Sequence, residues 1–235
     1  MSTKAYYITV LNSLVPGEVL PLGEGEKSIA ISQAVKSYSK DKPLIVVEEE
    51  SGNNSFDYIL TGTGALLASW SEGFSVIKKV EYPIDATVPE PNYLKDEDWI
   101  IYQNPAGKVL RFLEDKPKTT EKIRVTYTTL HTCTFTACTV DVFDEEAVQM
   151  LAASFFCDML ATYFAQNQDS MIGADVVDHK SKAQEYAARS RAYRKNYFNH
   201  LGIEEGQPTA ASINKNQSMD GSWGADKMTH PQRYR

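Results

Sequence analysis

The chain has 235 residues, of which 42% are hydrophobic and 23% charged, with a formal net charge of −7 at pH 7. A chain of this length buries about 70–75% of the surface it exposes when unfolded, so a substantial core is expected. The composition excludes a membrane barrel, a collagen and a wholly disordered chain, and the negative balance argues against bulk nucleic-acid binding by the whole surface.

Ala5 to Leu11 is rich in Tyr, Ile, Thr and Val and predicts a strand. A turn-forming stretch with Pro16-Gly17 and Pro21 follows. Ile31, Val35 and Tyr38 then fall at i, i+4 and i+7, the stripe of a short helix that Pro43 closes. From Leu44 to Thr132 short β-patterned runs alternate with breaks: LIVVEEE, FDYILT, SVIKKVEY, WIIYQ, KVLRFLE and KIRVTYTTLHT. Such spacing predicts a mostly antiparallel sheet or small barrel. Glu48 to Glu50 make one strand edge acidic, which discourages unwanted pairing.

The period turns helical at Asp144. This residue is placed as an N-cap, Glu145 and Glu146 suit the positive end of the dipole, and Phe143 is placed to staple onto Val148. The expected inner stripe runs through Val148, Leu151, Ala152, Phe155, Met159, Thr162, Tyr163 and Gln166. Ala147 to Ala165 contains a single charge, Asp158. A charge near mid-span and the absence of basic flanks argue against a membrane helix and for one buried around most of its circumference. A hairpin partner covers one stripe only, so Phe156, Leu160 and Phe164 are candidates for contact with the β region or a neighbouring subunit. A second helix is expected from Asp178 to Leu201, with Gly202 as its left-handed cap and Ile203 folding back on Phe198. Arg194 falls near the apolar side of that helix, and Asp158 is its possible partner, within the chain or across a subunit contact. Beyond Gly202 the helical pattern stops. Residues 204–235 are polar, with isolated Trp223 and Tyr234 and a basic end of Lys227, His230, Arg233 and Arg235, the composition of an arm that orders on a partner.

Charge is unevenly spread. Residues 1–177 hold 14 Lys and Arg against 25 Asp and Glu, whereas residues 178–200 hold six basic against two acidic. An acidic body with one basic helix suits docking between subunits.

Motifs for catalysis are scarce. His131, Cys133 and Cys138 lie close together, but His-x-Cys-x4-Cys departs from zinc spacing, and alternating strand geometry would splay the side chains. Three cysteines, with Cys157, cannot all pair, which fits a reducing compartment better than a secreted scaffold. The opening MSTKAYYITVLNS is unlike a secretory signal. Thr61-Gly62-Thr63-Gly64 lacks the lysine of a phosphate loop and predicts a turn. No cofactor, metal or catalytic residue is expected.

Three stretches carry a resemblance: DEDWIIYQNPAGKVLRFLEDKP, DEEAVQMLAASFFCDMLATYFAQNQD and VDHKSKAQEYAARSRAYRKNYFNHLGI. From about Asp96 to Ile203 the chain resembles the head–tail connector, or adaptor, proteins of tailed bacteriophages. The resemblance implies an α+β fold: an antiparallel helix pair plus a short N-terminal helix, a connector-type bundle with a large β-rich insertion and an extended C-terminal arm. The corresponding regions are 1–43, 44–140 (the insertion), 141–202 (the hairpin) and 203–235 (the arm). It further implies a structural protein of the virion neck, made in the host cytoplasm. Copies would form a ring, often a dodecamer, between the portal protein and a tail-side neck or terminator protein, with DNA passing through unspecifically and no membrane involved. Phe156, Leu160, Phe164, Asp158 and Arg194 would then serve subunit contacts, and Trp223, Lys227, Arg233, Tyr234 and Arg235 the portal. A tail-completion or tail-terminator ring is the nearest alternative, and a nucleic-acid-binding module built on the basic helix is a further one.

Overall fold

The computed structural model describes residues 2–16, 22–61, 65–85, 87–105, 107–166 and 179–204. Those residues build a mixed α+β fold of four helices and two three-stranded antiparallel sheets.

The first helix, α1 (Lys4–Leu14), replaces the strand expected at Ala5–Leu11. Strand-favouring residues lost here to burial. Tyr7, Leu11 and Val15 recur every four residues and are all almost completely covered, and Thr3 caps the helix by accepting from the Tyr6 N–H. Propensity is a weak prior against a face that packs. Helix α2 (Glu24–Asp41) is longer than expected but presents the anticipated stripe: Ile31, Val35 and Tyr38 are buried, joined by Ala30 and Ala34. Its first turn is closed by the Glu26 carboxylate accepting from the Gly23 N–H at 2.9 Å.

Six strands follow: β1 (Leu44–Ser51), β2 (Asp57–Ile59), β3 (Ile77–Glu81), β4 (Trp99–Asn104), β5 (Gly107–Phe112) and β6 (Lys122–Thr129). They sort into sheets of order β1-β6-β3 and β2-β5-β4, every pairing antiparallel. One core joins them, with Tyr58, Leu110 and Phe112 from one sheet packed among Val80, Ile123, Val125 and Tyr127 of the other. Beyond β1, Gly52 lies so close to the Pro117–Lys118 backbone that a Cβ would sit 2.1 Å from the Lys118 carbonyl oxygen. Only glycine fits there. The acidic run on edge strand β1 is largely engaged within the chain. Glu48 accepts from the Tyr127 hydroxyl (2.9 Å) and the Ala68 N–H (2.8 Å), and Glu49 takes two bonds from Arg124, whose third arm reaches buried Glu81 at 2.7 Å.

β1 and β6 pair along their full length, so the chain enters and leaves the β unit side by side and returns to the helices next to α2. A 3-10 turn (Val142–Asp144) opens α3 (Glu145–Gln166), and α4 (His179–Leu201) packs antiparallel on it. Gly202 adopts φ +67°, the Ile203 N–H reaches the Phe198 carbonyl (3.1 Å) and the Gly202 N–H that of Asn199 (3.3 Å). This is the Schellman closure expected from the sequence.

The segment Val142–Gln166 is long and apolar enough to cross a membrane by length and composition, yet 56% of its apolar window is buried within the chain. Ala147 to Leu160 is covered on nearly every side. Val148, Leu151 and Ala152 share a core with α1, α2 and Tyr197 of α4, while Ala153, Phe156, Cys157 and Leu160 share another with Leu11, Val15 and Ala30. The last turns differ from the expected stripe. Thr162, Tyr163 and Gln166 are exposed, because α1 and α2 no longer cover the helix there.

Candidate interaction surfaces

The start of α3 is fixed by a polar junction rather than by the cap read from the sequence. Asp141 is the cap, its carboxylate accepting from the Phe143 N–H at 3.2 Å. Asp144 is instead buried, accepting from the Tyr38 hydroxyl (2.6 Å) and from Lys42 Nζ (2.7 Å), with His200 Nε2 3.4 Å from its second oxygen. Burial alone would raise the Asp144 pKa, but the hydrogen bonds from Lys42 and Tyr38 outweigh it and hold the carboxyl below its ordinary range. Next to it the Tyr197 hydroxyl donates to Asp41 at 2.5 Å.

His131 is part of the same junction and carries no metal-site geometry. Its ring packs 4.9 Å from that of Tyr38, Nε2 lies 3.0 Å from the Lys42 carbonyl, and Nδ1 lies 3.0 Å from the Thr139 carbonyl and 3.2 Å from the Thr139 hydroxyl. Burial, the largest influence, lowers the His131 pKa despite the neighbouring carbonyls. Among the described residues no group of three His, Cys, Asp or Glu is placed to hold a metal.

Cys133 and Cys138 are joined in a disulfide across an antiparallel bridge, contrary to the expectation that strand geometry would splay them. The two residues face each other across a tight turn instead of alternating along one strand. That turn is tied to the N-terminal segment by bonds from the Lys4 N–H to the Thr134 carbonyl (2.9 Å) and from the Cys138 N–H to the Ser2 carbonyl (3.0 Å). Ser2 in turn hydrogen-bonds Glu145. Cys157 is a free, buried thiol pushed up to about 12 by burial.

On this rigid end the chain displays apolar side chains to solvent. Phe143 is 85% exposed, Val142 74% and Phe135 65%. The expected staple of Phe143 onto Val148 is therefore not formed. The cap by Asp141 and the burial of Asp144 turn residues 142 and 143 outward, while Val148 packs inward with α2. Nothing in the hydrophobic pattern distinguished an outward-facing Phe from an inward one. The usable signal was Asp141 and Asp144 flanking a two-residue apolar pair.

The residues expected at subunit contacts fall out differently. Phe156 and Leu160 are fully buried against α1 and α2 of the same chain, so they need no neighbouring copy. What supplies the cover is the unanticipated helix α1. Phe164 stacks in parallel on Tyr186 of α4 at 5.6 Å, with Lys182 Nζ 5.7 Å from its ring. Asp158 and Arg194, given as candidates for a subunit contact, pair within the chain at 3.0 Å, one of the two pairings the sequence left open, and Arg194 also lies over the Phe155 ring. The two side chains are 47% and 35% exposed, so solvent screens them. A double-mutant cycle on Asp158→Ala and Arg194→Ala is expected to give a coupling below about 1 kcal/mol in urea unfolding.

The outer face of α4 is basic. Arg191 and Lys195, one turn apart, are exposed beside Ala188 and Ala192 and have no ion-pair partner among the described residues. Trp223, Lys227, Arg233, Tyr234 and Arg235 lie outside the described residues. A cleft of about 110 Å³ between Tyr82, Leu94, Phe112 and Glu114 is smaller than the roughly 300–1,000 Å³ of small-molecule sites. No protein-family model and no curated protein matches the sequence.

Proposed function

We propose that the chain is a structural adaptor of a tailed-phage neck, forming a ring that joins the portal to the tail and extends the DNA channel. The observation that carries this reading is the antiparallel pair α3–α4 with a Schellman-closed end, lying in the stretch that resembles connector proteins. Around it stand the helix α2, a β unit inserted ahead of α3, and a polar, basic-ended segment after Ile203. Exposed apolar side chains held on a stiff end, and a basic helix face on an acidic chain, support assembly over catalysis.

In this reading residues 204–235 are the portal arm. Trp223 is an apolar anchor, and Lys227, Arg233 and Arg235 meet acidic groups of the portal. Ordering such a segment costs a few kcal/mol, roughly 2–5, which the new contacts offset. Removing residues 204–235 leaves the helix closure at Gly202–Ile203 intact, so the thermal midpoint is expected to stay within about 2 °C of the full chain. Co-sedimentation with the portal is expected to disappear. Undiminished co-sedimentation would contradict the role given to the arm.

A further inference from the structure

We infer that neighbouring copies join head to tail, the Val142–Phe143 pair of one copy seating on the Arg191–Lys195 face of α4 in the next. This rests on the ring reading above and names the surfaces that close it.

A phenyl ring that is 85% exposed leaves apolar area to be buried on a partner, and how firmly its flanks are held decides what that burial costs in ordering. Here both flanks are fastened. Asp141 caps the turn through the Phe143 N–H, and the Asp144 N–H returns to the Asp141 carbonyl at 2.9 Å. The Asp144 carboxylate is bonded to Tyr38 and Lys42. An aromatic anchor presented on a pre-organised turn is the usual centre of a protein interface, since little freedom is left to lose on binding.

Charge then selects the occupant. The turn is ringed by Asp141, Glu145 and Glu146; Asp141 has Lys42 Nζ at 3.8 Å and Glu145 accepts from Ser2, whereas exposed Glu146 has no ion-pair partner among the described residues. Its complement within this chain is the outer face of α4, where Arg191 and Lys195 are likewise unpaired and Ala188 and Ala192 offer apolar surface between them. The aliphatic stems of Arg191 and Lys195 extend that floor, so a phenyl ring can be covered while the cationic heads meet carboxylates at its rim. In the proposed arrangement each copy offers its knob to one neighbour and its α4 face to another. A contact between them is heterologous, and repeated contacts of that kind close into a ring when the rotation permits.

The test uses the full-length chain, assembled alone or on its portal, with mass photometry as the readout and circular dichroism as the folding control. Phe143→Ser removes the anchor without touching a buried residue, and at least a tenfold loss of assembled species at fixed concentration is expected, with an unchanged thermal midpoint. Arg191→Glu with Lys195→Glu is expected to have the same effect. Adding Glu145→Lys and Glu146→Lys to that double variant restores opposite charges on the two surfaces and is expected to recover assembly. If Phe143→Ser and the charge reversals all assemble normally, this contact is overturned while the ring reading stands. If the unaltered chain stays monomeric even with its portal, the ring reading falls and this contact with it. Salt-sensitive binding of a short DNA duplex that the Arg191/Lys195 reversal abolishes, with assembly intact, would assign the α4 face to nucleic acid and overturn the contact.

Discussion

Asp144→Ala is expected to lower the free energy of unfolding by about 2–4 kcal/mol, read as a drop in the urea midpoint at unchanged slope. The side chain is 9% exposed and satisfies Tyr38 and Lys42 at once, so alanine leaves a buried phenol hydroxyl without its acceptor. Lys42 is half-exposed and rehydrates, which keeps the loss below that of a fully buried pair. Asp144→Asn retains an acceptor for Tyr38 and is expected to cost less. The pH dependence has a definite sign. The folded Asp144 carboxyl titrates below its ordinary value near 3.8, so its stabilisation is complete above that pH and is lost as pH falls through the lower folded value. His131 acts in the same direction at higher pH. Its folded pKa lies below 6.5, so the unfolded chain takes up the proton first and stability declines as pH falls below 6.5. Unfolding free energy measured from pH 7 to pH 3 should therefore fall in two stages, and Asp144→Asn should diminish the second, to which Asp57 and Glu121 also contribute because their hydrogen-bond partners hold them below the ordinary carboxylate range.

The other large effect is expected inside α3. Phe156→Ala should cost about 3–5 kcal/mol and Leu160→Ala about 2–5, because each leaves a cavity in a core built from α1, α2 and α3. These losses should not depend on protein concentration. Were the two side chains sheltered by another copy, dilution would deepen the defect, since dissociation and unfolding would be linked. Losses relative to the unaltered chain that stay the same from low to high micromolar protein would show that each chain shelters its own helix.

How much of this was legible beforehand follows from what each residue's neighbours decide. The β runs were readable because alternation and Gly/Pro breaks are local, and each of the six strands falls on one of the runs read from the sequence, with Ser51, Asn104 and Gly107 extending three of them by one residue. The closure at Gly202 was readable for the same reason, since a left-handed glycine after a helical run has few alternatives. The segment Lys4–Leu14 was misread because its composition favours strands, while its four-residue spacing of Tyr7, Leu11 and Val15 gains meaning only once α2 and α3 are there to receive it. That error propagated. With α1 missing, Phe156 and Leu160 lacked an intramolecular partner and were assigned to a neighbouring copy. The polar junction joining Tyr38, Lys42, His131, Asp144 and His200 spans more than 160 positions of chain, so no local pattern could announce it. The Asp158–Arg194 pair was within reach as a pair because both residues are charges set among apolar helix residues, but whether it forms within one chain or between two depends on packing that no local pattern shows.

Electron microscopy of the full chain bound to its portal tests the central claim most directly. The account predicts a ring, twelvefold as connector rings often are, in which every copy keeps Phe156 and Leu160 inside its own bundle and Phe143 at the seam. A solitary subunit on the portal, or a sixfold ring seated only at the tail end, would contradict it.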